Sequence, residues 1–162
     1  MKTDLLPIRP AALDLATMLA RWFLGALFVY MGLTKALNPV AFLKVLRQYE
    51  MVQSPFLLNS IAATLPWFEI FCGLLLLMGL AVRGSASISL LMLLVFTPLV
   101  LKRALALQAA LHIPFCAVKF DCGCGSGEVW ICRKLSENVF LILLSAWLLA
   151  GRGRQCSLRY TL

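Results

Sequence analysis

Four apolar runs separated by short polar stretches organise the chain. The first spans Leu15 to Leu37, long enough for a tilted helix across a hydrocarbon core of about 30 Å. The second runs from Ile61 to Val82, with Pro66 near its start and Arg83-Gly84 as its stop; so tight a connection predicts an antiparallel neighbour. The third covers residues 86–111, with only part of it in the membrane. Pro98 predicts a kink there, Thr97 beside it can satisfy a freed backbone group, and Pro114 ends the helical composition. The fourth, residues 135–151, opens on Ser136-Glu137 and just suffices to span. Between the first two, Phe42, Leu43, Leu46 and Tyr49 recur at helical spacing among Lys44, Arg47 and Gln48. That pattern fits an amphipathic helix in the membrane interface or one folded onto the bundle.

These runs predict an all-α fold: a transmembrane four-helix antiparallel bundle, one membrane domain over residues 1–162, with a Cys-rich loop between the third and fourth helices. Composition agrees, since 62% of the 162 residues are hydrophobic and only 14% charged, too apolar for a small soluble domain. A formal charge of +8 does not indicate nucleic acid, because the fifteen basic residues stand singly or in pairs at the edges of apolar runs, as membrane anchors do. The predicted partner of the long faces is the lipid bilayer. Six basic residues fall on the side of the termini and eight on the other, too even a split to orient the protein.

Candidate chemistry begins inside the runs. Arg21, Gly25, Phe28, Gly32 and Lys35 follow at spacings of four and three along one helical face, and the glycines admit a close neighbour. Glu69, Cys72 and Gly73 share a face of the second run. A buried charge there costs at least about 2.5–3.5 kcal/mol unless paired, so Glu69 is expected to pair with Arg21 or Lys35. The result is either a brace fixing helix register or a polar pocket for a quinone head group or a proton path.

The order Arg21-x3-Gly25-x2-Phe28-x3-Gly32-x2-Lys35, then Pro66-Trp67-x-Glu69-x3-Gly73-x5-Gly79, then Asp121-Cys122-Gly123-Cys124-Gly125 before a last short span resembles the DoxX/MauE family of small four-helix membrane proteins. The likeness covers about Leu15 to Ala150. The family includes a methylamine-utilisation protein associated with disulfide formation in a partner dehydrogenase, and a subunit of thiosulfate:quinone oxidoreductase. The resemblance implies thiol or sulfur redox chemistry that passes electrons between a thioredoxin-like or rhodanese-like protein and the quinone pool. One departure stands out: related loops often carry an aromatic after the second cysteine, whereas this chain has Gly125, Ser126 and Gly127, which predicts a looser loop.

Cys122 and Cys124 are separated by one glycine, so a disulfide between them closes a small, strained and readily exchanged ring. Gly123 eases that ring, the glycines after it expose the thiols, and Lys119 favours a thiolate while Asp121 opposes it. Cys116 and Cys132 flank the pair and can resolve a mixed disulfide. The expected relay is an exposed Cys122–Cys124 pair meeting a soluble protein, with Cys116 and Cys132 carrying electrons toward the membrane. Arg21, Lys35 and Glu69 then shape the acceptor site. Cys72 is either a third stage beside a quinone or a packing residue, and Cys156 an unpaired thiol in a basic tail.

Alternatives stay open. Two purely structural disulfides fit the count, as do four thiolates on zinc or an iron–sulfur cluster, although one residue between paired cysteines is short for a metal knuckle, so no metal is expected. His112 reads as a solvated flank. The protein is expected in the inner (cytoplasmic) membrane with the Cys-Gly-Cys loop outside the cytoplasm, where disulfides persist. Its assembly as a homo- or hetero-oligomer is open. The competing functions are a non-catalytic anchor or assembly subunit of a redox complex and, less favoured, a carrier that uses the buried charges.

Overall fold

The computed structural model describes residues 11–50, 54–125 and 127–151. Five α-helices carry the described chain: α1 (Ala11–Leu37), α2 (Pro39–Gln48), α3 (Pro55–Met78), α4 (Val82–Leu111) and α5 (Ile131–Ala150). Three of them, α1, α3 and α4, are long and apolar enough to cross a membrane. The 20-residue α5 is set apart by Arg133, Lys134 and Glu137 in its first two turns. The four long helices close a ring, α1 packing on α3, α3 on α4, α4 on α5 and α5 back on α1.

Glycine makes the α1–α3 contact. A Cβ on Gly25 would lie 2.8 Å from the Gly73 carbonyl oxygen, and one on Gly32 would lie 2.6 Å from that of Pro66. Rising numbers on α1 thus meet falling numbers on α3, so the two helices run antiparallel at near backbone contact. Leu24, Phe28, Leu76, Ala86, Leu93, Leu141 and Leu148 are buried at the centre of the ring. Large apolar side chains such as Phe23, Trp67, Phe71 and Leu91 point outward, the arrangement expected when lipid is the solvent.

The helix boundaries differ from the sequence reading at two prolines and two glycines. Pro66 lies within α3, and Pro55 starts that helix, so α3 begins before Ile61. It ends at Gly79, whose φ of 76° lets its N–H reach the Leu75 and Leu76 carbonyls. Arg83-Gly84 is therefore not a stop but the first turn of α4. That helix passes through Pro98 without a break. The Thr97 hydroxyl donates to the Leu93 carbonyl at 2.7 Å and accepts from Asn138 Nδ2 at 3.2 Å, tying α4 to α5.

The Cys-rich segment contains a hairpin. After a short 3-10 turn (Phe115–Ala117), strands β1 (Lys119–Asp121) and β2 (Glu128–Trp130) pair antiparallel with Phe120 opposite Val129. The alternation Lys-Phe-Asp and Glu-Val-Trp around a glycine-rich turn carries the two-residue period of a strand. Helix α2 turns its apolar face onto the protein: Phe42 and Leu46 pack with Leu58 and Ala62 of α3, and Val45 and Tyr49 with the cysteine loop. It is therefore folded onto the bundle, the second of its two sequence readings.

Candidate functional site

The site gathers at the end of the ring where α1 and α4 finish, α3 and α5 begin, and α2 with the hairpin forms a roof. Cys116 is bonded to Cys132 and Cys122 to Cys124, so all four loop cysteines are paired. The two disulfides lie at different depths. Cys116 is exposed and Cys132 half-buried. Cys122 and Cys124 are only 0% and 4% exposed, which reverses the expected order: the outward pair is Cys116–Cys132.

The reversal has a local cause. The Tyr49 hydroxyl donates to the Cys122 carbonyl at 3.0 Å, the Asp121 carboxylate accepts from the Gly123 N–H at 2.9 Å, and Val45 and Phe42 lie against Gly123. Gly123, Gly125 and Gly127 take positive φ, and Gly125 fits so closely over Thr34 that a side chain there would collide. Gly123 and Gly125 therefore serve close docking rather than exposure, while Gly127 stands in open space. Lys119 is likewise committed elsewhere, its ammonium 3.9 Å from the Trp130 ring centroid across the hairpin. Burial pushes the Tyr49 phenol well above its ordinary range, the Asp121 carboxylate adds to the shift, and Arg103 opposes it.

Below the inner disulfide lies a cavity of about 340 Å³. Phe28, Leu46, Ile61, Leu65, Phe96 and Leu141 are among its apolar walls, and Cys124, Lys35, Glu69, Lys134 and Asn138 supply its polar atoms. Lys35 Nζ donates to both Glu69 carboxylate oxygens, and the Phe42 ring centroid stands 5.4 Å from the same ammonium. Of the two partners expected for Glu69, the structure selects Lys35. Arg21 precedes Lys35 by fourteen residues on α1, about 21 Å along the axis, and does not line this cavity. A second cavity, about 240 Å³, sits on the other side of Lys35 between Asn38 and Asp121 and is bordered by Gly123, Gly125 and Gly127.

Cys72 is buried and unbonded on α3, one turn beyond Glu69, and does not line the cavity below the inner disulfide. Cys156 lies outside the described residues. Among the described residues no three His, Cys, Asp or Glu side chains converge on a metal position. Three residues of the site went unread in the sequence. In the sequence Tyr49 shows only as part of an apolar stripe. Lys134 and Asn138 carried a clearer signal: with Leu141, Ser145 and Leu148 they repeat the spacing of four and three that marks the inner face of α1.

A helical membrane protein with two cysteine pairs stacked over a buried ion pair is the class that this fold and site define. The chain belongs to the MauE family: the family model for methylamine utilisation protein MauE matches residues 13–151. The match takes in α1 from its first turns, both disulfides and all of α5. No match was found among curated proteins or among solved structures. Membership and the paired cysteines agree with a redox-related role in the membrane.

Proposed function

We propose that this protein is a four-span membrane thiol oxidoreductase that moves electrons from a thioredoxin-like or rhodanese-like dithiol partner to a quinone. The observation that carries the reading is the position of Cys124: bonded to Cys122 beneath the roof, it also lines a cavity that reaches the lipid-facing side of α4. Inner and outer disulfides then divide the work. A partner thiolate attacks the exposed Cys116 sulfur and releases Cys132 as a thiolate; the second partner thiol displaces Cys116, leaving the partner oxidised and Cys116 and Cys132 reduced. Cys132, which packs against the cluster containing Cys122 and Cys124, exchanges with the inner disulfide, and Cys116 resolves the intermediate. The Cys122 and Cys124 thiols finally yield two electrons and two protons to the quinone, which leaves as quinol while their S–S bond re-forms.

Lys35 and Glu69 shape the polar end of the acceptor site in this reading, with Cys72 as a packing residue. Arg21 is assigned to the opposite half of the bundle and not to the acceptor. The cysteine end faces the extracytoplasmic side of the inner (cytoplasmic) membrane, where a disulfide relay is not drained by cytosolic reductants.

The test uses purified protein in lipid nanodiscs, dithiothreitol as dithiol and decylubiquinone as acceptor, with quinol formation followed by absorbance. Native protein is expected to turn over, and Cys122→Ser with Cys124→Ser to stop quinol formation while dithiothreitol still opens Cys116–Cys132. Undiminished turnover in that variant, or none in the native protein, overturns the reading in favour of an anchor or assembly subunit.

A further inference from the structure

We propose that the cavity below Cys124 admits an isoprenoid quinone sideways from the lipid, between α3 and α4, and that Lys134 holds the quinone oxygen that becomes negative during reduction. The inference rests on the proposed function and adds to it the route of entry and a residue in contact with the acceptor.

The route is read from the cavity walls. Leu91 and Val95 of α4 are 63% and 55% exposed, on the outer surface of a helix apolar enough to span a membrane, yet they line the same cavity as Asn138, which is 2% exposed. A cavity bordered by both kinds of residue extends from the lipid surface to the interior. Ile61 and Leu65 of α3 form the facing border. The exposed border is wholly apolar and suits an isoprenoid tail, whereas the polar residues that line the cavity, Lys35, Glu69, Lys134 and Asn138, are buried, as is Cys124.

Lys134 is singled out by charge. Lys35 and Glu69 neutralise each other through two hydrogen bonds, so that pair offers no net charge to a ligand. The Lys134 side chain is nearly as buried, at 7% exposure, and its nearest carboxylate oxygen, on Glu137, is 3.9 Å away. The other Glu137 oxygen is held at 2.9 Å by Arg133, which leaves that carboxylate shared between two cations. The cation also stands in the first turn of α5, the positive end of a helix, where a lysine is disfavoured. Lys134 is therefore a buried cation in an unfavourable place, on the wall of an apolar cavity beside a disulfide. An electronegative carbonyl oxygen that gains charge as the quinone accepts electrons supplies a closer partner than the shared Glu137 carboxylate, and the ammonium stabilises it by a charge-assisted hydrogen bond. The net reaction is unchanged, since both protons of the quinol come from the Cys122 and Cys124 thiols.

The experiment compares native protein with Lys134→Met, Lys134→Arg and Leu91→Trp in nanodiscs, using decylubiquinone and the same benzoquinone without its tail. Tryptophan-monitored unfolding establishes that each variant is folded. Lys134→Met is expected to lower kcat/KM for both quinones by roughly 10-fold or more, the loss of one charge-assisted contact, and Lys134→Arg to recover most of it. Leu91→Trp is expected to raise KM for decylubiquinone several-fold and to leave the tail-less quinone unaffected. Native kinetics in Lys134→Met remove Lys134 from the acceptor site, and equal effects of Leu91→Trp on both quinones remove the lateral route. If native protein reduces neither quinone, the proposed function itself has failed. Should Lys134→Met not fold, native kinetics in a folded Lys134→Gln variant overturn the assignment, and a loss that arginine restores supports it.

Discussion

Replacing Lys35 by methionine tests the energetic centre of the site. The Lys35 and Glu69 side chains are 6% and 8% exposed, and the ammonium donates to both carboxylate oxygens, so the pair is desolvated and closely matched. Lys35→Met keeps the length and apolar volume of the stem but leaves the carboxylate without its hydrogen-bonded counter-charge; breaking a buried pair in this way costs about 3–5 kcal/mol. The lower end is expected, because Lys134 lines the same cavity and supplies part of the lost positive potential. For a chain of this length the cost corresponds to a fall in Tm of about 6–20 °C. Lys35→Met combined with Glu69→Leu removes both charges and is expected to return to within about 1–2 kcal/mol of the native protein, since an apolar pair replaces a buried ion pair at little cost. The assay is a double-mutant cycle from tryptophan-monitored unfolding in one detergent and lipid mixture. A single substitution costing less than about 1 kcal/mol, or a double variant as unstable as the two singles added together, would refute the reasoning.

Three further outcomes follow from the geometry. After limited reduction, a membrane-impermeant maleimide is expected to label Cys116 and Cys132 before Cys122 and Cys124, because the inner pair is buried; the reverse order in mass spectrometry would put the inner pair outside. Gly125→Ala forces a side chain at φ +86° into Thr34 and is expected to cost about 1–3 kcal/mol and to speed labelling of the inner pair; adding Thr34→Ala relieves the collision but not the dihedral and is expected to recover only part of the loss in unfolding measurements. Tyr49, raised by burial, contributes stability that is intact below the ordinary phenol pKa of about 10 and lost as pH rises through its folded value; Tyr49→Phe is expected to delete a phenolate absorbance that appears above the ordinary phenol range and, below about pH 10, to cost about 1–3 kcal/mol by orphaning the Cys122 carbonyl.

The parts of this structure set by local pattern were readable, and those set by long-range packing were not. Apolar run length located α1, α3 and α4, and spacing alone put Gly25, Phe28, Gly32 and Lys35 on one face, which the structure buries. Pro66 misled because proline usually marks a first helical turn, and only the full course of α3 shows it as an interior residue. Strands of three residues are too short to declare themselves beside four cysteines and three glycines, although their alternation is visible once sought. The choice of Lys35 over Arg21 depends on the vertical registry of α1 against α3, fixed by Gly25 on Gly73 and Gly32 on Pro66, a relation between segments that neither segment states. Depth at the cysteines was hidden for the same reason: Phe42 and Val45 of α2 and Tyr49 just after it cover the inner pair, and they lie more than seventy residues away.

The use of α2 bears on how the proposed relay avoids short circuits. Its apolar face, free by composition to enter the lipid headgroups, is spent on covering Cys122, Gly123 and the top of α3. That roof buries the inner disulfide, while Cys132, from the outer pair, packs against the cluster that contains it. The Tyr49 ring also lies 5.6 Å from that of Phe96, a residue of the cavity wall, so one side chain touches both the inner cysteine's backbone and the wall of the cavity. In the proposed reaction, electrons that arrive at Cys116 reach the cavity only through Cys132 and the inner pair, in that order. Reducing equivalents in the surrounding fluid would otherwise drain straight into the quinone pool. In that proposed reaction a roofed inner disulfide separates the two, and the same burial that hid the depth of the cysteines from sequence would leave the choice of partner to the outer pair.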